Sequence, residues 1–171
     1  STAAAAAVTL RSVAGTLKND GISVFLKKHG FYDKKLNPAG DFKNAFEAKD
    51  LNGDKVVIDK ATGLMWHASG SEVHMELAKA NEWLAAINGR KFAGFSDWRL
   101  PTLEEAASLV ENSAKNGPLY IDPVFSQAQK SMWSADSASS EVSWSIALDQ
   151  GKIVRDYKFN YFFIRPVRNN K

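Results

Sequence analysis

The stretch Asp97-Trp98-Arg99-Leu100-Pro101-Thr102-Leu103-Glu104-Glu105 carries the main fold signal. Pro101 fixes the angle at which the chain enters a helix. Thr102 and Glu105 form a capping box, each able to satisfy the other's exposed backbone donor. A helix is therefore expected over Thr102–Val110. Trp98 is expected in the core. Arg99 is expected to pair with Asp97, Glu104 or Glu105, and Arg165 and Arg168 to be paired likewise, because half-buried charges are usually paired. The run reads as a lock of helix on sheet rather than as an anion clamp.

Working outward, Val73, Leu77, Ala80, Leu84 and Ile87 fall at helical spacing and predict a helix over Ser71–Asn88, stopped by Gly89. Before it, Val56-Val57-Ile58 and Leu64-Met65-Trp66 read as a hairpin. Asp59 and Thr62 can bond its turn amides, and Gly63 can take positive φ. After it, Met132–Ser134, Val142–Leu148, Ile153–Tyr157 and Phe162–Val167 read as strands. Asp149-Gln150-Gly151-Lys152 is the turn between the middle two. Toward the N-terminus, residues 1–8 read as loose and Leu10-Arg11-Ser12 as a short strand. Asp20 reads as the cap of a helix over Ile22–Lys28 that His29 and Gly30 close. Phe31 to Lys49 reads as an irregular wrap held by Phe31, Tyr32, Phe42 and Phe46. Early helices and a late meander of strands make an α+β chain. Residues 1–45 read as an extension and 46–171 as the main domain.

With 171 residues, 44% hydrophobic and 24% charged, the chain can build a core without staples. Five Trp and ten Phe supply it. The absence of cysteine excludes a thiol nucleophile, a thiolate metal site and a redox pair. A net charge of +3 permits an acidic polymer as partner without arguing strongly for one. No apolar run reaches the roughly 18 residues of a membrane span. The small residues of Ser1 to Ala7 fit the tail left after signal cleavage.

Catalytic and metal motifs are sparse. Asp50-Leu51-Asn52-Gly53-Asp54 carries alternating oxygens, but Lys55 stands where a calcium loop of the EF-hand type needs Gly, so a plain Asn-Gly-Asp turn is expected. His29, His67 and His74 lack metal-ligand spacing. No serine sits in a nucleophile elbow, and no glycine-rich phosphate loop is present. Neither a cofactor, a metal nor an enzymatic activity is expected, and nothing in the sequence points to nucleic acid.

Several separated motifs occur in one order: Val57 to Trp66, Gly94 to Thr102 with Glu105, Trp133-Ser134, and Ile164-Arg165-Pro166-Val167-Arg168. Over about Val56 to Arg168 the chain resembles the C-terminal domain of Legionella collagen-like adhesins. The Arg99-Leu100-Pro101-Thr102 piece with Glu105 is also similar to a motif of formylglycine-generating enzymes. The resemblance implies a C-type-lectin-like fold, with two helices on a twisted, mostly antiparallel sheet and function carried by long loops. It implies an exported protein, secreted, periplasmic or at the cell surface. The formylglycine-generating activity needs active-site cysteines, which this chain lacks.

What remains is surface recognition. Arg90 and Lys91 follow the long helix. Lys152, Arg155 and Lys158 lie on the late hairpin with Tyr157 and Tyr161. Alternation places Arg155 and Tyr157 on one strand face, and the hairpin turn is expected to project from the sheet. Cations beside aromatic rings suit an acidic glycan. The expected function is a non-catalytic, adhesin-like binding domain for an acidic polysaccharide or another surface protein. The alternative is an assembly module of an envelope complex, with a homo-oligomer as one form. Residue by residue, the competing view of these cations is a solvated strand face.

Overall fold

The structure, a computed structural model, describes residues 6–170. Most of the stretch expected to be loose at the N-terminus lies outside them. The elements are α1 (Asn19–His29), β1 (Phe46–Leu51), β2 (Asp54–Asp59), β3 (Leu64–His67), α2 (Leu77–Gly89), α3 (Leu103–Ala107), β4 (Ser131–Ser137), β5 (Val142–Ala147), β6 (Lys152–Tyr157) and β7 (Val167–Asn169). The fold is α+β, with every named strand pair antiparallel.

The three expected helices are present, α1 in the extension and α2 and α3 in the main domain, but two sheets take the place of the expected one. Strand order is β1-β2-β3-β7 in one sheet and β4-β5-β6 in the other. The segment expected as a single strand over Phe162–Val167 explains the division. Phe163 O accepts from Trp133 N in β4 at 2.9 Å. Four residues on, Val167 pairs with Trp66 in β3. The chain thus crosses from one sheet to the other and stitches them, rather than joining either along its whole length.

The same segment shortens α2. Ser71 N donates to Ile164 O at 2.8 Å and Met75 N to Phe162 O at 2.9 Å. These long-range bonds satisfy backbone groups that a helix over 71–76 would have to satisfy internally. Val73 consequently stands 63% exposed instead of lying on the apolar face. From Leu77 onward the spacing holds, with Ala80, Leu84 and Ile87 buried.

Three smaller corrections lie near the N-terminus. α1 opens with Lys18 at the cap and Asp20 inside the first turn, whereas Gly30 closes it at φ 72° as expected. Leu10-Arg11-Ser12 forms no strand, and the nearby pairing is a single bridge between Thr16 and Ser137. β1 lies in what the sequence suggested was irregular wrap. It turns into β2 through Asn52 (φ 58°) and Gly53 (φ 89°), a two-residue hairpin loop with both central residues left-handed. Asp50 accepts from Gly53 N at 2.7 Å, as the turn reading of this loop requires.

Leu10, Ile22, Phe25, Leu26 and Phe31 share one buried cluster with Trp66, Leu103, Leu109, Trp144 and Ile146. A second cluster joins Val56, Met65, Ala80, Leu84, Trp98, Trp133 and Ile164. Apolar burial on this scale, at about 25 cal/mol per Å², is what holds both sheets together.

Candidate functional site

The lock around Arg99 forms as its sequence implies. Trp98 is 3% exposed and its indole N–H donates to Phe92 O at 3.0 Å. Arg99 grips Glu105 with two bonds of 2.6 and 2.8 Å. Glu105 Oε1 also accepts from Thr102 N at 2.9 Å, completing the capping box. The other two acids have different partners. Glu104 lies near Arg11, and Asp97 takes Arg168 at 2.6 Å while that guanidinium covers the Phe95 ring at 3.6 Å.

Arg165 departs from the expected ion pair. It is fully buried, and its guanidinium donates to the carbonyls of His67 and Ala68 and to Gln129 Oε1 at 3.1, 2.6 and 2.7 Å. Among the described residues no carboxylate lies within 4 Å of it. Burial lowers its pKa to about 9. His67 is buried beside it, with Nδ1 accepting from Gly70 N at 2.9 Å and the ring stacked on Phe92 at 4.1 Å. Burial, then the nearby Arg165 charge, lowers the His67 pKa to about 4. This histidine is a neutral core residue near pH 7.

The surface cations divide into separate places. Arg90 is bound to Asp54 at 3.3 Å beside the β1–β2 turn and lies over Phe92. Lys91 follows it, exposed, at φ 52°. Lys152 opens β6 next to a turn that does not project. Gly151 O accepts from Lys34 N at 2.9 Å, and a Cβ on Gly151 would lie 2.6 Å from the Tyr120 ring. Tyr120 in turn stacks on Tyr32 of the wrap. The hairpin tip is therefore tucked in, and Lys152 stands roughly 20 Å along the strand from Lys158.

The far end of β6 gathers the remaining candidates. Arg155 and Tyr157 are both exposed on the same strand face. Arg155 donates to Asn19 Oδ1 at 3.2 Å and borders two shallow clefts of about 440 and 380 Å³. Lys18 and Asp20 line the first, Ser139 and Tyr157 the second. The Tyr157 ring stacks on Phe159 with centroids 5.1 Å apart. Tyr161 donates its hydroxyl to Glu76 at 3.3 Å. Lys158 is held by backbone bonds, its N–H to Glu141 O and its carbonyl from Leu77 N, at 2.9 and 3.1 Å. Arg155, Tyr157, Lys158 and Tyr161 thus form one neighbourhood, and Arg90, Lys91 and Lys152 do not belong to it. Phe159 is the member that sequence reasoning missed. Its signal was the alternation Tyr157, Phe159, Tyr161, which continues past the end of the strand.

A family model described as the Lcl C-terminal domain matches residues 55–168. The chain belongs to that family. No match is found among curated proteins. The Lcl C-terminal domain match opens inside β2 and closes inside β7, so it contains the Arg99 lock, Arg165 and the whole edge from Arg155 to Tyr161. α1 and β1 precede it, although α1 contributes to the shared core. Membership makes this an adhesin-related domain. Among the described residues no helix is long and apolar enough to cross a membrane.

Proposed function

We propose that this domain is a non-catalytic, exported recognition module that binds an acidic polysaccharide along the Arg155–Tyr161 edge. One observation carries the reading. Of the six arginines, Arg11, Arg90, Arg99 and Arg168 each have a carboxylate within 4 Å, and Arg165 is buried. Arg155 is the exposed arginine without one among the described residues, and its contact is a neutral amide oxygen. A free guanidinium beside an exposed phenol ring offers a sulfate or carboxylate a forked donor and offers the sugar a platform. In this reading the fold is C-type-lectin-like, and residues 1–45 are an extension to the domain of residues 46–171. Arg90, Lys91 and Lys152 lie away from this edge and add only to the overall positive charge felt at low salt. The adhesin kinship supports partners at a cell surface, for which a second surface protein and a further copy of the chain are the candidates of this reading.

The test is titration with a heparin-like polysaccharide at low and high salt. Binding is expected at low salt, to weaken steeply as salt rises because exposed charges are screened over about 8 Å at physiological ionic strength, and to be largely lost in Arg155→Ala. No binding by the unaltered protein at low salt would overturn the reading. The exposed aromatic side chains of Tyr157, Phe159 and Tyr161 support the assembly-module reading as the second choice.

A further inference from the structure

Beside the cationic edge lies a cleft of different chemistry. It is an open cleft of about 520 Å³ at the start of α2, and its lining includes Glu76, Leu77, Asn81, Glu141, Lys158 and Phe159. That volume accommodates a small ligand of one or two sugar rings. Its frame is fixed by backbone bonds, Leu77 N to Lys158 O and Lys158 N to Glu141 O. Phe159 is 60% exposed and lies parallel to Tyr157, 8° between ring planes. Glu76 is oriented by the Tyr161 hydroxyl.

The polar lining is mainly accepting. Two carboxylates face one ammonium, and Asn81 both donates and accepts. An anionic ring would meet like charge here. A ring bearing hydroxyl or amino hydrogens would find acceptors, with an aromatic surface for its C–H face. We propose that this cleft binds one unsulfated pyranose ring, hydroxyl- or amino-bearing, packed on Phe159 and donating hydrogen bonds to Glu76 and Glu141. The proposal rests on the polysaccharide reading and refines it: the ring next to the acidic group on Arg155 carries no anion of its own.

The experiment is calorimetric titration with a chitin-type oligosaccharide, which is neutral, and with its deacetylated, cationic counterpart. The neutral probe should bind equally well at low and high salt. The cationic probe should bind more tightly at low salt, because its ammonium groups meet two carboxylates. Phe159→Ala should weaken both about tenfold through loss of the aromatic platform. Glu76→Gln should reduce the salt-dependent advantage of the cationic probe, with Glu141 left as the remaining carboxylate. An unchanged denaturation midpoint would show that each variant folds. Failure of the neutral probe to bind, or binding indifferent to both Phe159→Ala and Glu76→Gln, would overturn the proposal. Heparin-like binding alongside such a failure would leave the acidic-glycan reading intact. Neutral binding without heparin-like binding would keep the cleft and remove the acidic reading.

Discussion

Arg99 and Arg155 both stand near aromatic side chains on strand or strand-adjacent backbone, yet their surroundings differ in kind. Arg99 is held by two bonds to a carboxylate with no exposed side-chain surface, and that carboxylate also caps α3. Arg155 reaches a single neutral oxygen at 3.2 Å. In the first case the charge is consumed by the fold, since removing the half-buried Arg99 would strand the buried Glu105 carboxylate. In the second the charge is available to a ligand, and the fold gains little from it. Where an arginine finds its partner therefore separates scaffold from surface in this molecule.

That contrast can be broken on the scaffold side first. Trp98→Ala removes a buried indole and its bond to Phe92 O, and should cost about 3–5 kcal/mol in denaturant unfolding. Full stability in that variant would contradict the scaffold assignment.

Next in size is a pH effect at His67. Its pKa falls from 6.5 unfolded to about 4 folded, so between these values the unfolded chain binds a proton that the folded chain does not. The stability tied to His67 is full above pH 6.5 and is lost as pH falls toward 4, by about 3 kcal/mol in all. Unfolding free energies measured from pH 7 down to about pH 4.5 should show this slope. His67→Gln, which keeps an acceptor for Gly70 N, should flatten it.

Smaller still is the Arg99–Glu105 pair. Glu105→Gln preserves the capping box but removes the charge, and should cost about 1–2 kcal/mol. The smallest effect belongs to the edge: Arg155→Ala should change stability by no more than about 0.5 kcal/mol. A larger loss there would make Arg155 part of the scaffold.

The scaffold half was readable because its signals are local. The capping box at Thr102 and Glu105, the turn at Asp59 to Gly63 and the stop at Gly30 each depend on residues a few positions apart, and all three occur. The failures are nonlocal. Residues 71–75 have helical spacing, but their backbone is claimed by residues about 90 positions away. β1 could not be read because it is an edge strand with a half-exposed pattern, dictated by pairing with β2. Tyr120 and Lys34, which tuck in the β5–β6 turn, are likewise remote in sequence from Gly151. At the edge, strand alternation put Arg155 and Tyr157 on one face, but it could not say that the turn beside Lys152 is tucked in by Lys34 and Tyr120.

The most direct test of the central claim is an amide and side-chain NMR titration of the isotope-labelled protein with a heparin-like oligosaccharide at low salt. The account predicts that shifts concentrate on Arg155, Tyr157 and the neighbouring Lys18–Asp20 backbone, and that they disappear in Arg155→Ala. Shifts centred on Arg90, Lys91 and the β1–β2 turn, with the Arg155 edge unmoved, would contradict it.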